Sequence, residues 1–253
     1  MLRLRVNVRD LHLERADACS SVYAIGDIHG RLDLLIKMEE AIRRDVASGD
    51  FGPAAICYLG DYIDRGPQSA DVVERLCSPI DDGIERVFLM GNHEDRLLDF
   101  LDDPTRYGPS WLRYGGREAM ESYGITLPAT DADVDWLEFR DRFLITFPAS
   151  HRTFIEGLHP GLFWRNYLFV HAGINPDART DSQALHDLMW IREPFLSHEG
   201  DWGLTVVHGH TVFDTPQIHD NRIGVDTGAY QSGILSAVKV TDSGCRILQV
   251  SQL

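Results

Sequence analysis

The stretch Gly60-Asp61-Tyr62-Ile63-Asp64-Arg65-Gly66 directly follows the apolar run Ala54-Ala55-Ile56-Cys57-Tyr58-Leu59. Such a run ahead of a glycine reads as a buried strand. Two carboxylates and a guanidinium then stand where the strand ends. In open α/β sheets, ligands sit at that carboxyl edge. A glycine at each end of the motif lets the backbone turn sharply. Asp61 is the candidate bridge between two metal ions, with Asp64 and Arg65 working beside it.

Working outward, the same grammar recurs on both sides. Ser21-Val22-Tyr23-Ala24-Ile25 reads as a strand and runs into Gly26-Asp27-Ile28-His29-Gly30. Residues two apart in an extended segment point the same way, so Asp27 and His29 can reach one ion. Ile84 to Met90 is a third strand and ends in Gly91-Asn92-His93-Glu94. Between these strands, Leu35, Met38, Ile42 and Val46 recur at helical spacing. Asp33 is the expected cap of that helix. Val72, Val73 and Leu76 mark a second, shorter helix. Strand, polar motif and helix in succession predict a parallel sheet with crossover helices.

Further along, Tyr167-Leu168-Phe169-Val170 leads into His171-Ala172-Gly173, and Leu204-Thr205-Val206-Val207 into His208-Gly209-His210-Thr211. Ser182 to Met189 reads as a helix. Strands follow at Ile223-Gly224-Val225, Ile234 to Val240 and Arg246 to Val250. Asp242-Ser243-Gly244 is the expected hairpin turn between the last two. Parallel units followed by antiparallel strands predict an α/β fold of two packed mixed β-sheets flanked by helices. Residues 1–20 are expected to be an N-terminal extension or an edge strand, and 21–253 a single domain. Residues 95–165 are expected to form an inserted helical cap. Its Trp111, Tyr114, Tyr123 and Trp136 are mostly core, with a minority lining a substrate mouth.

Composition narrows the function. The 253 residues carry 24 basic and 39 acidic side chains, a formal charge of −15. That balance argues against a nucleic-acid partner, and bound divalent cations would offset part of it. No segment approaches the roughly 18 apolar residues of a membrane helix. The N-terminal stretch alternates and does not form a signal-like apolar block, so no membrane and a cytoplasmic location are expected. Cys19, Cys57, Cys77 and Cys245 are scattered and form no disulfide framework.

Together, Gly26-Asp27-Ile28-His29-Gly30, Gly60 to Gly66, Gly91-Asn92-His93-Glu94, His171-Ala172-Gly173 and Gly209-His210-Thr211 resemble the calcineurin-like metallophosphoesterases. More narrowly, they are similar to the bacterial and phage form of the phosphoprotein phosphatase branch. The resemblance spans residues 26–211. It implies that Asp27, His29 and Asp61 hold one divalent ion, and that Asp61, Asn92, His171 and His210 hold a second. Carboxylate, imidazole and amide donors suit Mn²⁺ first, with Fe or Zn²⁺ as alternatives. A water between the ions would lose a proton near neutral pH and attack phosphorus in line. The resemblance further implies that Arg65 and Arg192 grip the phosphoryl oxygens and that His93 protonates the leaving oxygen. Asp64 is expected to orient His93 and to raise its pKa.

The expected substrate is a phosphorylated protein, at serine or threonine, or a small phosphate ester. A dinucleoside polyphosphate such as diadenosine tetraphosphate is the first alternative. A non-catalytic metal-binding module is the second. No tyrosine corresponding to the one over the eukaryotic active site is legible. His208 is expected either to support the ligands from behind or to be structural, Asp226-Thr227-Gly228 to be structural, Glu94 to favour its helix start by charge, and His12, His151, His159, His186, His198 and His219 to be core residues.

Overall fold

The computed structural model describes residues 4–49, 52–128 and 134–252; the first three residues of the alternating N-terminus lie outside this range. Its strands in chain order are β1 (Arg5–Val6), β2 (Ser21–Ile25), β3 (Ala54–Tyr58), β4 (Glu85–Phe88), β5 (Leu162–Trp164) and β6 (Tyr167–Phe169). They continue as β7 (Gln183–Ala184), β8 (Thr205–His208), β9 (Gln217–Ile218), β10 (Arg222–Gly224), β11 (Ile234–Thr241) and β12 (Gly244–Ser251). One five-stranded sheet runs β12-β11-β2-β3-β4 and a second runs β5-β6-β8-β10-β9. Both are mixed. In the first, β2, β3 and β4 are parallel and the β11–β12 hairpin is antiparallel. In the second, β6, β8 and β10 are parallel.

The alternation along β2 shows how the layers assemble. Val22 and Ala24 join a buried cluster with Ala55, Cys57, Phe169, Val207 and Val238, which lies between the two sheets. Tyr23 and Ile25 face the other way, onto Leu35, Met38 and Ile42 of helix Leu32–Ser48. Residues one apart thus serve different layers, as the period of two in a strand requires. On the outer face of the second sheet, Leu168, Val170 and Val206 pack on Val8, Leu188 and Phe195. The fold is an α/β sandwich of two mixed sheets flanked by helices.

Several local expectations shift. Helix Leu32–Ser48 has Arg31 at its cap position, and Asp33 does not cap it. The Asp33 carboxylate instead accepts two bonds from the Arg31 guanidinium, at 2.9 and 2.8 Å. The helix begins at Leu32, so Asp33 already lies inside its first turn. The stretch read as one helix over 182–189 divides into β7 and a shorter helix, Leu185–Trp190. β7 pairs with β1 in a two-stranded ribbon separate from both five-stranded sheets. The 95–165 segment is helical only as far as Glu156, and β5 within it belongs to the second sheet. Its helices share a core with the first sheet's helices through Phe100, Trp111, Met120, Tyr123 and Phe143.

Candidate metal and phosphate site

Three parallel strands of the first sheet and two of the second end at one place. The loops after β2, β3, β4, β6 and β8 deliver Asp27 and His29, Asp61 to Arg65, Asn92 and His93, His171, and His210. All are buried apart from Arg65, which is half-buried. Backbone bonds stitch the first two loops together: Ile28 and His29 N–H groups donate to the Asp61 carbonyl, and Gly30 N–H to the Tyr62 carbonyl.

The backbone here is unusual. Among the described residues, the non-glycine residues with positive φ are His29, Asp61, Asp64, Arg65, Arg165 and His210. All but Arg165 belong to the site. Left-handed backbone at a residue with a Cβ costs on the order of 1 kcal/mol or more and persists only where the surroundings fix it. Among the described residues, left-handed backbone at non-glycine positions is therefore concentrated at these loops. The two motif glycines act differently. Gly60 takes a left-handed turn (φ 101°), whereas Gly66 passes so close to the His29 carbonyl that a Cβ there would lie 2.0 Å from its oxygen.

The donor atoms converge in two groups that share Asp61. On one side, His29 Nε2 lies 3.5 Å from Asp61 Oδ2 and 4.0 Å from Asp27 Oδ2. On the other, His171 Nε2 lies 3.4 Å from Asp61 Oδ1, 2.9 Å from Asn92 Oδ1 and 3.2 Å from His210 Nδ1. His29 Nδ1 faces the Ile63 carbonyl at 2.8 Å and His171 Nδ1 the Leu59 carbonyl at 2.9 Å. Those bonds fix each ring with a proton on Nδ1, so each Nε2 presents a lone pair to the centre, as metal-ligating histidines do. The His29 Nε2 turned to the centre is buried without a hydrogen-bond partner; on His210 it is Nδ1 that faces the centre.

Electrostatics point the same way. Burial, then the neighbouring carboxylates, pushes Asp27 and Asp61 well above the usual carboxylate range. Burial holds His29 and His210 well below their ordinary value and His171 down to about 3. Neutral imidazoles and crowded carboxylates with orphaned lone pairs form a centre that divalent cations would satisfy. The residues could hold two ions that share Asp61, one among Asp61, His29 and His93 with Asp27 beside them, and one among Asp61, His171 and His210 with Asn92 beside them.

His93 sits beside this centre. Its Nδ1 meets Asp64 Oδ2 at 2.6 Å, and its Nε2 lies 3.7 Å from Asp61 Oδ2. Asp64 does not raise the imidazole pKa as the sequence leads one to expect. Burial of the ring, then His29 and Arg65, holds it well below its usual value. Burial also pushes Asp64 well up, with Glu94 adding to the shift. The short contact holds the ring so that Nε2 turns toward Asp61 and the centre.

Arg65 places its guanidinium 4.8 Å over the Tyr230 ring. Tyr230 itself lies edge-on to His29, with ring centroids 5.4 Å apart. A tyrosine therefore does stand at the site, on the short helix Ala229–Ser232 after Asp226-Thr227-Gly228. Asp226 is also part of the site's charge: it is buried, and its carboxylate raises the pKa values of Asp27 and Asp61. Arg192 is exposed at the rim and donates to the His210 carbonyl at 3.3 Å. His208 faces away, stacking edge-on against Phe195. Of the histidines expected in the core, His151 is buried between the Tyr123 hydroxyl and Glu74, whereas His12 is exposed and pairs with Asp17.

Glu94 does more than start its helix. It is buried, and its two oxygens accept the backbone N–H groups of Gly91, Asp61, Tyr62 and Ile63, at 2.8 to 3.2 Å. It ties the Asn92–Asp102 helix to the front half of the central motif. Glu94→Gln keeps one acceptor but turns an NH₂ toward these donors. It should cost about 1–3 kcal/mol in urea unfolding, the penalty for stranding buried donors; an unchanged midpoint would show that the clamp carries no stability.

Comparison with known proteins agrees with this geometry. The chain is 26% identical over 235 residues to serine/threonine-protein phosphatase 2 of Salmonella typhimurium, covering 89% of this chain and 95% of that protein. It is 24% identical over 234 residues to the asymmetrical bis(5'-nucleosyl)-tetraphosphatase PrpE of Halalkalibacterium halodurans, covering 85% and 88%. A solved structure of a candidate diadenosine tetraphosphatase superposes with a TM-score of 0.60 at 21% identity, covering 93% and 95%, a likeness of fold. The sequence profile of the Calcineurin-like phosphoesterase family matches residues 20–231, a span that takes in every loop of the centre, and the chain belongs to that family.

Proposed function

We propose that this protein hydrolyses phosphomonoesters, with phosphoserine and phosphothreonine in proteins as the leading substrates. Membership of the family carries a metal-dependent phosphoesterase activity with a dinuclear centre. Divalent ions held by Asp27, His29, Asp61, Asn92, His171 and His210 would supply Lewis-acid stabilisation and an activated water. The chain's own groups do the rest. Arg65, braced on Tyr230, and Arg192 at the rim orient the phosphoryl group and balance its growing charge. As the P–O bond breaks, His93 Nε2 passes its proton to the departing oxygen, and Asp64 holds the ring in line.

The observation that favours a monoester is the His93–Asp64 pair. A seryl alkoxide is a poor leaving group and needs a proton as it departs. A nucleotide expelled from a phosphoanhydride leaves as a stable anion and needs it far less. A second reading, a dinucleoside polyphosphate hydrolase, is favoured by a groove beside the site. Arg65, Arg113, Arg117, Tyr114 and Tyr230 line it, with Glu118 beside them, in a chain of strongly acidic composition. Three guanidinium groups and two aromatic rings suit a phosphate chain bearing a base.

A side-by-side assay decides. With Mn²⁺ added, the protein should release phosphate from a phosphoseryl peptide and an aryl phosphate, and a chelator should abolish both. Turnover of diadenosine tetraphosphate in preference to the peptide would replace the first reading by the second. Metal bound without turnover of any substrate would leave only the non-catalytic module.

A further inference from the structure

We propose that Trp111 is a positioning residue for the His93–Asp64 acid, so that the helical insertion completes the catalytic apparatus as well as covering it. This rests on the acid role assigned to His93 above.

Asp64 is fully buried and has two oxygens to satisfy. His93 engages only Oδ2. A single contact of that kind leaves the carboxylate free to rotate. Trp111 Nε1 lies 3.1 Å from Oδ1 and 3.0 Å from Oδ2, straddling both and fixing the plane of the carboxylate. The indole is itself fully buried and immobilised. Phe100 packs against it at a centroid distance of 4.6 Å and Phe143 edge-on at 5.9 Å. A buried indole N–H usually finds an acceptor; Trp164 and Trp202 have none, whereas the Trp111 N–H has one, the partner of the acid.

The chain then continues into a tight π turn, Leu112–Gly116. There the Gly115 carbonyl accepts the Arg65 backbone N–H at 3.1 Å. Gly115 has φ 106°, and a Cβ on it would lie 2.6 Å from Arg65 N. One six-residue strut, Trp111 to Gly116, thus touches the acid's partner and the phosphate-facing arginine together. These are the two adjacent left-handed residues of the motif, Asp64 at φ 72° and Arg65 at φ 66°. Glu94 holds the front half of the motif. The insertion holds the back half, together with Ser69 Oγ, which accepts the Asp64 N–H at 3.0 Å, His93 on the Asp64 carboxylate and Tyr230 under the Arg65 guanidinium.

The test removes the N–H while keeping the ring. Trp111→Phe is the simple variant. Incorporating 3-benzothienylalanine at position 111 is the stricter one, because it preserves the bicyclic shape that packs on Phe100. With Mn²⁺ supplied and metal content checked, kcat on a phosphoseryl peptide should fall about ten- to a hundredfold. KM, and kcat on an aryl phosphate with a strongly activated leaving group, should hold. Neither change should lower the rate further in a His93→Asn background, since both act through the same proton. Equal loss on both substrates, an unchanged peptide rate, or additive loss with His93→Asn would each overturn the role of Trp111. If His93→Asn itself shows no leaving-group dependence, the acid assignment falls and takes this role with it. If it does show the dependence and the benzothienyl protein does not, only the inference about Trp111 fails.

Discussion

Asp61→Asn should give a folded protein that has lost more than about a thousandfold in phosphatase activity, the scale expected when a catalytic constellation acts as a unit. Both Asp61 oxygens are committed. Oδ1 accepts the His93 backbone N–H at 3.0 Å and faces His171, while Oδ2 faces His29. An asparagine fits the same space. Its oxygen can keep the His93 bond, and its NH₂ can donate to the orphaned His29 Nε2. What it cannot do is lend an anionic oxygen to each donor group. Metal content should therefore fall with activity. The metal-free variant should be at least as stable as the parent, because a buried carboxylate repelled by Glu94 and Asp226 has been neutralised. Function would here be kept at the expense of stability, as buried charge at active sites commonly requires. Metal content by elemental analysis, urea unfolding without metal and phosphate release check the three parts. A variant with two ions bound and ordinary turnover would refute the bridging role.

His93→Asn should retain both ions and lose rate according to the leaving group. For a seryl phosphate the loss should reach about 10²–10⁴, the usual worth of a general acid. For an activated aryl phosphate it should be small. The contrast matters more than either number. A residue that only shaped the pocket would cost both substrates alike, as would one that held a metal. The His93 ring also stands edge-on to His29, with centroids 4.6 Å apart, so metal content must be measured beside the kinetics. A plot of log kcat against leaving-group pKa should be steeper for the variant than for the parent; parallel lines would remove His93 from proton transfer.

The parts legible in the sequence are those written in contiguous residues. Apolar runs gave β2, β3, β6 and β8 nearly to the residue, because a strand buried on both faces has no polar positions to blur its ends. The site loops were legible for a related reason: each sits at the end of such a run, so strand register places its side chains. The parts that were not legible depend on contacts between distant segments. Glu94 reads as an acidic residue at a helix start, and nothing local says that the backbone 31 to 33 positions earlier will donate to it. Trp111 reads as one more core aromatic, although its N–H reaches Asp64 across 47 positions. Tyr230 reads as a residue after a turn. The pKa of His93 was misjudged because the carboxylate beside it is visible in the motif, whereas the burial that outweighs it is a property of the assembled fold.

The strut from Trp111 to Gly116 limits how the helices that follow it can be exchanged. Helices Arg117–Ser122, Trp136–Thr146 and Ala149–Glu156 lie beyond it. They could in principle be swapped for those of a relative to alter which substrates enter. A splice made inside the strut would disturb the hearth along with the chimney: the graft would change rate and selectivity at once, and neither could be read separately. Chimeras intended to report on selectivity alone should therefore be joined after Gly116.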